Sequence, residues 1–248
     1  MSAYLEHGQV KLLVNGEHGL VIEFSNVISP EMNRSVQQLT RQLLSKSITG
    51  VIEVVPTYRS VTVYFNPLAI TRSTLANQVV ALLKVNQPNE PGHLPSRIVR
   101  VPVCYGGVLG PDLEFVARFA RVSVQEVIAL HTANPYLVYM LGFAPGFPYL
   151  GGMPEQIAVP RQEKPRQRIP AGSVGIGGNQ TGIYPVESPG EWWLIGRTPI
   201  KAFDPQSPNP FLVSAGDFLH FSAISVDEYF QIRRAVEAGT YQLEICHR

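Results

Sequence analysis

Apolar and polar positions follow two different rhythms along the chain. In the first third, helical and strand periods take turns. Val10–Val14 and Gly19–Phe24 are apolar runs on either side of Asn15-Gly16, as in two strands joined by a tight turn. Between Pro30 and Ser47, Met32, Val36, Leu39, Leu43 and Leu44 recur at helical spacing. Ser29 is the expected N-cap. Pro30 takes the first helical position, where a missing N–H costs nothing. Val51–Val55 and Ser60–Phe65, rich in β-branched and aromatic residues, read as a second strand pair. Thr71–Val85 carries Leu75, Val79, Leu82 and Leu83 on one helical face. The order ββαββα predicts a small α+β domain over residues 1–92, an antiparallel sheet with its helices on one face. Lys84–Ser96, dense in Pro, Asn and Gly, reads as a linker to a second domain over residues 93–248.

The second domain opens with a strand at Arg97–Val103. A helix entered through Gly110-Pro-Asp-Leu runs to Ala120, and a short helix to His131 is capped by Ser123 with Glu126 three residues on. Tyr136–Leu141 reads as a strand. The rhythm then changes. Of the 21 Gly and 21 Pro, 12 of each lie between Gly142 and Gly216. Short apolar runs separated by turn residues follow: Ile157–Val159, Ser173–Ile176, Gly182–Tyr184, Trp192–Ile195, Phe211–Val213 and Asp217–Ile224. This pattern predicts a mainly-β barrel or sandwich. Ser225 and Glu228 form another capping box for a helix to about Ala238. Gly239 stops it, and Tyr241–Cys246 reads as a last strand.

Charge and cysteine usage narrow the function classes. Lys+Arg is 20 and Asp+Glu is 19, for a net charge of +1. Such a balance points away from nucleic acid and from a polybasic membrane surface. No apolar run approaches the roughly 20 residues that span a bilayer. Met1–Gly16 lacks a signal-peptide profile, so a cytoplasmic location is expected. Cys104 and Cys246, far apart, read as reduced core thiols. The six histidines show no HxxxH or HExxH spacing, and no metal site is predicted.

The candidate chemistry lies in the Gly/Pro-dense stretch. Gly142-Phe-Ala-Pro-Gly-Phe-Pro-Tyr-Leu-Gly-Gly combines stiff and permissive residues with three aromatics, Phe147 among them, and reads either as a structural turn or as an aromatic wall of a cleft. Arg161, Lys164, Arg166 and Arg168 form a cluster with only Glu163 between them, suited to a phosphate or carboxylate or to a solvated face. Gly172-Ser-Val-Gly-Ile-Gly-Gly-Asn-Gln-Thr-Gly can gather backbone N–H groups on an anion. It is neither a Walker A loop nor a GxGxxG turn, and Ser173 lacks the GxSxG elbow. Gln180 and Thr181 read as groups that orient a substrate amide, and Tyr184 follows as a further binding candidate. Trp192 and Trp193 read as core. Arg197 and Asp204 bracket a turn where they can pair or bind. His131, at a helix end, is a candidate general acid or base, and Asp112 offsets a helix dipole.

At these segments the chain resembles a known family. Val101-Pro-Val-Cys-Tyr-Gly-Gly, Gly110-Pro-Asp-Leu, Leu141–Leu150, Pro170–Pro185, Leu194-Ile-Gly-Arg-Thr-Pro and Phe203-Asp-Pro are similar to the B subunit of bacterial 5-oxoprolinase, a family also called allophanate hydrolase subunit 1 or KipI-like. The resemblance spans about Val10 to Cys246. It implies a small α+β domain followed by a cyclophilin-like β-barrel. It also implies ATP-dependent hydrolysis of 5-oxo-L-proline to L-glutamate together with the A and C subunits, the chain being inactive alone. Under that resemblance His131, Gln180 and Asp204 are the catalytic candidates. Arg161, Arg166, Arg168, Arg197, Phe147 and Tyr184 are the candidates for substrate or phosphate binding. ATP would be held by or shared with a partner subunit. Relatives also imply two alternatives: a histidine-kinase inhibitor, or a carboxyltransferase-like subunit acting on urea or another amide. Glu191 departs from the family pattern, standing where many members have a second glycine after Ser188-Pro-Gly.

Overall fold

A computed structural model describes residues 3–7, 10–85 and 97–247; the expected linker lies largely outside them. The chain divides into two compact units, Met1–Leu94 and Pro95–Arg248.

The first unit contains β1 (Ala3–His7), β2 (Val10–Asn15), β3 (Gly19–Glu23), α1 (Pro30–Lys46), β4 (Val51–Pro56), β5 (Ser60–Phe65) and α2 (Arg72–Val85). The five strands form one antiparallel sheet in the order β1-β2-β3-β5-β4. β1 extends the expected four strands by one. Gly16 takes φ 61 in the β2–β3 turn, which glycine adopts without strain. Ser29 caps α1 as expected, its Oγ accepting from Met32 N at 3.2 Å. Alternate residues of the strands, Leu12, Leu20, Ile22, Val61 and Val63, are fully buried beneath Val36, Leu39, Leu75 and Val79 of the helices. Each such side chain contributes about 1.5–3 kcal/mol on leaving water.

The second unit contains β6 (Arg97–Tyr105), α3 (Leu113–Ala120), α4 (Val124–Thr132), β7 (Tyr136–Leu141), β8 (Pro148–Gly151), β9 (Arg166–Ile169), β10 (Ser173–Gly177), β11 (Gln180–Ile183), β12 (Ser188–Gly190), β13 (Trp193–Arg197), β14 (Phe218–Ile224), α5 (Val226–Glu237) and β15 (Ile245–His247). Seven strands run in the order β11-β10-β13-β6-β14-β7-β8, with β15 added along β6. The β6–β14 pair is parallel; the other pairs are antiparallel. The two ends of this path approach each other: a Cβ on Gly182 of β11 would stand 3.2 Å from the Pro148 carbonyl of β8. The sheet thus nearly closes into a barrel, as the cyclophilin-like expectation requires. Its core holds Val99, Val101, Val174, Ile195, Leu219 and Phe221. Helices α3 and α4 pack on it through Val116 and Val127, and both expected capping boxes, Ser123/Glu126 and Ser225/Glu228, are formed.

Three expected strands change. Glu155–Ile157 is a 3₁₀ turn, and only Val159 bridges, to Gly178. Phe211 makes a single bridge to Phe203, since prolines at 205, 208 and 210 deny that segment a ladder. The last strand shortens to Ile245–His247. β8, β9 and β12, which carry Pro or Arg, have too little apolar content to stand out as runs.

Candidate functional site

The glycine run is a hairpin floor and not an anion cradle. β10 and β11 pair through Gly177 and Gln180 around Gly178-Asn179, so the backbone of this run is held in the sheet ladders. What the glycines provide is room. A Cβ on Gly177 would lie 2.3 Å from Trp192 Cδ1, and Cβ atoms on Gly175 and Gly182 would each lie 3.2 Å from Trp192 atoms. The indole of Trp192 therefore lies on a surface that side chains would occupy. Around it Phe147, Ile169, Tyr184 and Leu194 complete a second apolar cluster. The Phe147, Tyr184 and Trp192 rings meet edge to face at centroid distances of 5.6 to 6.2 Å. The structure thus brings Phe147 and Tyr184 together, both 3% exposed. Burial pushes the Tyr184 hydroxyl up to about 12, with the nearby Glu191 carboxylate adding to the rise. The Trp192 backbone N–H and the cations Arg161 and Arg166 oppose it.

The aromatic loop splits its roles. Phe147 turns inward, whereas Phe143 is 69% exposed with φ 65, a left-handed conformation that strains a bulky residue. Gly146 lets the loop lie against residues 202 and 203: a Cβ there would be 3.0 Å from the Ala202 carbonyl and from Phe203 Cβ. Gly142, Phe143, Pro145 and Phe211 line a shallow, open depression.

The arginine cluster is balanced by carboxylates remote in sequence. Arg166 Nη2 donates to Asp112 Oδ1 at 2.7 Å, and Asp112 Oδ2 accepts from Leu194 N at 2.7 Å. Asp112, 7% exposed, stands at the N-cap of α3, where its carboxylate faces the positive end of the helix dipole as expected, and it is also a strut between α3, β9 and β13. Arg168 reaches Glu187 Oε1 on the exposed β9–β12 ribbon. Arg161 donates to Glu191 Oε1 at 2.7 Å and to Gln180 Oε1 at 3.2 Å. Arg197 Nε donates to the Ala171 carbonyl, and Asp204 pairs with Lys201 at 2.9 Å, so of the two readings for these residues the mutual ion pair is not formed. The Lys201 ammonium and the Gln206 N–H hold the half-buried Asp204 carboxylate below its ordinary range.

His131 lies in the barrel core with no exposed surface. Thr181, also fully buried, donates its hydroxyl to the Gly175 carbonyl at 3.1 Å. Its oxygen therefore accepts from His131 Nε2 at 2.8 Å, and Nδ1 accepts the Tyr105 hydroxyl at 2.8 Å. Phe221 stacks on the ring at 4.6 Å. Burial lowers the imidazole to about 3, and it is neutral at ordinary pH. This geometry makes His131 and Thr181 parts of one internal hydrogen-bond chain, separate from the surface where Gln180 sits. Strand alternation is the reason: Gln180 and Thr181 are neighbours on β11 and face opposite ways. Cys104 is buried, its thiol pushed up by desolvation, while Cys246 is exposed and not a core thiol as expected.

One arrangement therefore gathers Arg161, Gln180, Tyr184 and Phe147 with Glu191 and Trp192; Arg168, Arg197, Asp204 and His131 lie apart from it. Glu191 and Trp192 were not among the sequence candidates for binding. The signal for Trp192 was the glycine spacing, which only a barrel register turns into a seat. Chemically, the arrangement offers a guanidinium, a carboxamide and a carboxylate beside an aromatic cluster, a set able to hold a small anionic amide. Among the described residues no three His, Cys, Asp or Glu side chains gather to hold a metal, and no helix is long and apolar enough to cross a membrane.

Comparison with known proteins shows the family and the fold. Residues 10–213 match the carboxyltransferase domain family, subdomain C and D. A Bacillus subtilis protein named as the B subunit of 5-oxoprolinase is 42% identical over 222 residues, 86% of this chain and 92% of its own length. Among solved structures, TTHA0988 aligns with a TM-score of 0.74 at 35% identity over 84% of this chain, which spans only 40% of that longer protein. Urea amidolyase of Kluyveromyces lactis shares the fold, with a TM-score of 0.78 at 20% identity over 96% of this chain and 16% of its own.

Proposed function

The chain belongs to the family of 5-oxoprolinase B subunits, and from that premise we propose that it is the B component of a complex that hydrolyses 5-oxo-L-proline to L-glutamate with ATP hydrolysis. The observation that carries this reading is the likeness to relatives bearing that name across nearly their whole length, at 39–42% identity in three bacteria. The site supports it in kind. A five-membered lactam with a carboxylate calls for one cation and one amide-pairing group, which Arg161 and Gln180 supply side by side. Phe147, Tyr184 and Trp192 form the apolar side of the same region.

The glycine run does not fit a nucleotide phosphate, since its backbone belongs to the barrel ladder. ATP is accordingly assigned to the partner A and C subunits, or to a surface shared with them, and the chain alone is inactive. The test is reconstitution. The purified chain should show no 5-oxoproline-dependent ATPase activity alone and should gain it with the A and C subunits. A stable three-component complex that substrate does not stimulate would overturn the proposal.

A further inference from the structure

Of the four arginines near this region, one differs in how it is held. Arg166 is locked by Asp112 and by the Trp192 carbonyl. Arg168 lies on the outer ribbon with side-chain exposure of 79%, and Arg197 is turned to a backbone carbonyl. Arg161 combines a fixed backbone with an open head group. Its flanks are pinned to the start of β13: Trp193 Nε1 donates to the Pro160 carbonyl at 2.7 Å, and Gln162 N donates to the Glu191 carbonyl at 2.8 Å. Gln162 Nε2 adds a bond to the Trp192 carbonyl. The Arg161 side chain is 50% exposed and the Glu191 side chain 37%.

We infer that Arg161 is the anion-recognition residue of this site and that Glu191 is its built-in competitor, a carboxylate of the chain occupying the place that a ligand carboxylate or phosphate takes. The inference rests on the proposed function for the setting but not for its test. Three features support it. Glu191 Oε1 meets Nη1 at 2.7 Å, the distance of a charge-assisted hydrogen bond to any incoming oxyanion. Gln180 holds Nη2 from the other side, so the guanidinium stays oriented when Glu191 swings away. The pair is solvent-accessible, and exposed pairs of this kind are weak enough for a ligand to break. A resting site blocked by its own carboxylate binds anions less tightly than its guanidinium allows, which tunes the affinity by the charge at position 191.

Isothermal titration of 5-oxoproline and, separately, of orthophosphate into the purified chain tests this. Neutralising the competitor with Glu191→Gln should tighten binding of at least one anion by about two- to fivefold. Arg161→Ala should weaken the same anion by about tenfold or more, and Arg161→Lys should recover only part, since the fork geometry is lost. Circular dichroism of each variant establishes that the fold is kept. Tightening of 5-oxoproline alone identifies a substrate carboxylate; tightening of orthophosphate alone identifies a phosphate position. Equal affinities across wild type, Glu191→Gln and Arg161→Ala would overturn the inference, as would no binding of either anion to Glu191→Gln at about 10 mM. Because the readout is binding, it stands or falls independently of whether the reconstituted complex turns over 5-oxoproline.

Discussion

Mild acid should loosen the barrel through His131. The ring is fully buried, donates through Nε2 to Thr181 and accepts from Tyr105, a network complete only for the neutral imidazole. Its folded value is about 3, against about 6.5 when the chain unfolds. The folded value is depressed, so between these limits the unfolded state binds the extra proton. The stabilisation is fully present above about pH 6.5 and is lost as the pH falls toward 3. The slope approaches about 1.4 kcal/mol per pH unit within that window. From pH 7 to pH 5 this one group removes about 2 kcal/mol, a large share of an ordinary folding free energy. Both tryptophans, Trp192 and Trp193, lie in the second unit, so indole fluorescence during urea unfolding reports on the unit that contains His131. Unfolding curves of wild type and His131→Gln at pH 5 and pH 7 isolate the term, because other titrating groups contribute to both proteins. The variant should be less stable at pH 7, with its hydrogen-bond partners imperfectly met, yet lose less than wild type on acidification. Parallel losses in the two proteins would refute the assignment of a buried neutral ring.

Other outcomes follow from the packing. Gly177→Ala places a methyl group 2.3 Å from Trp192 Cδ1 and should cost about 1–3 kcal/mol with a shift in indole emission; an unchanged urea midpoint would contradict the seating of that ring. Asp112→Ala strands Arg166 and the Leu194 N–H and should cost about 3 kcal/mol. Arg168→Ala on the exposed ribbon should stay within about 0.5 kcal/mol, and chemical denaturation of the two variants side by side tests the ranking. Phe143→Gly should stabilise by up to about 1 kcal/mol by relieving the left-handed backbone, read as a rise in melting temperature.

Local signals carried the architecture far. Ser29 before Pro30 set a helix start that the structure keeps, and both capping boxes fell where serine and glutamate stood three residues apart. The strands missed, β8, β9 and β12, are short and hold Pro or Arg, because pairing partners and not apolar content sustain them. The site was less legible, and the arginines show why. A window of eight residues shows Glu163 as their one counter-charge. The barrel delivers the others from 19, 30 and 54 residues away, as Glu187, Glu191 and Asp112. The same distance problem hid Trp192, whose seat is made by glycines on two strands ahead of it. For His131 the helix-end position leaves a core group and a general acid or base both open, and α4 decides for the core by packing that end inward.

The β6–β15 pairing has a consequence for how such a unit is built into larger chains. Arg97, at the head of β6, stands opposite His247, at the tail of β15. The way into the second unit and the way out of it are thus neighbours in one ladder, and a polypeptide entering and leaving there need not cross the barrel. A module with adjacent ends can be spliced between other segments, or cut and rejoined as a circular permutant, with little topological penalty.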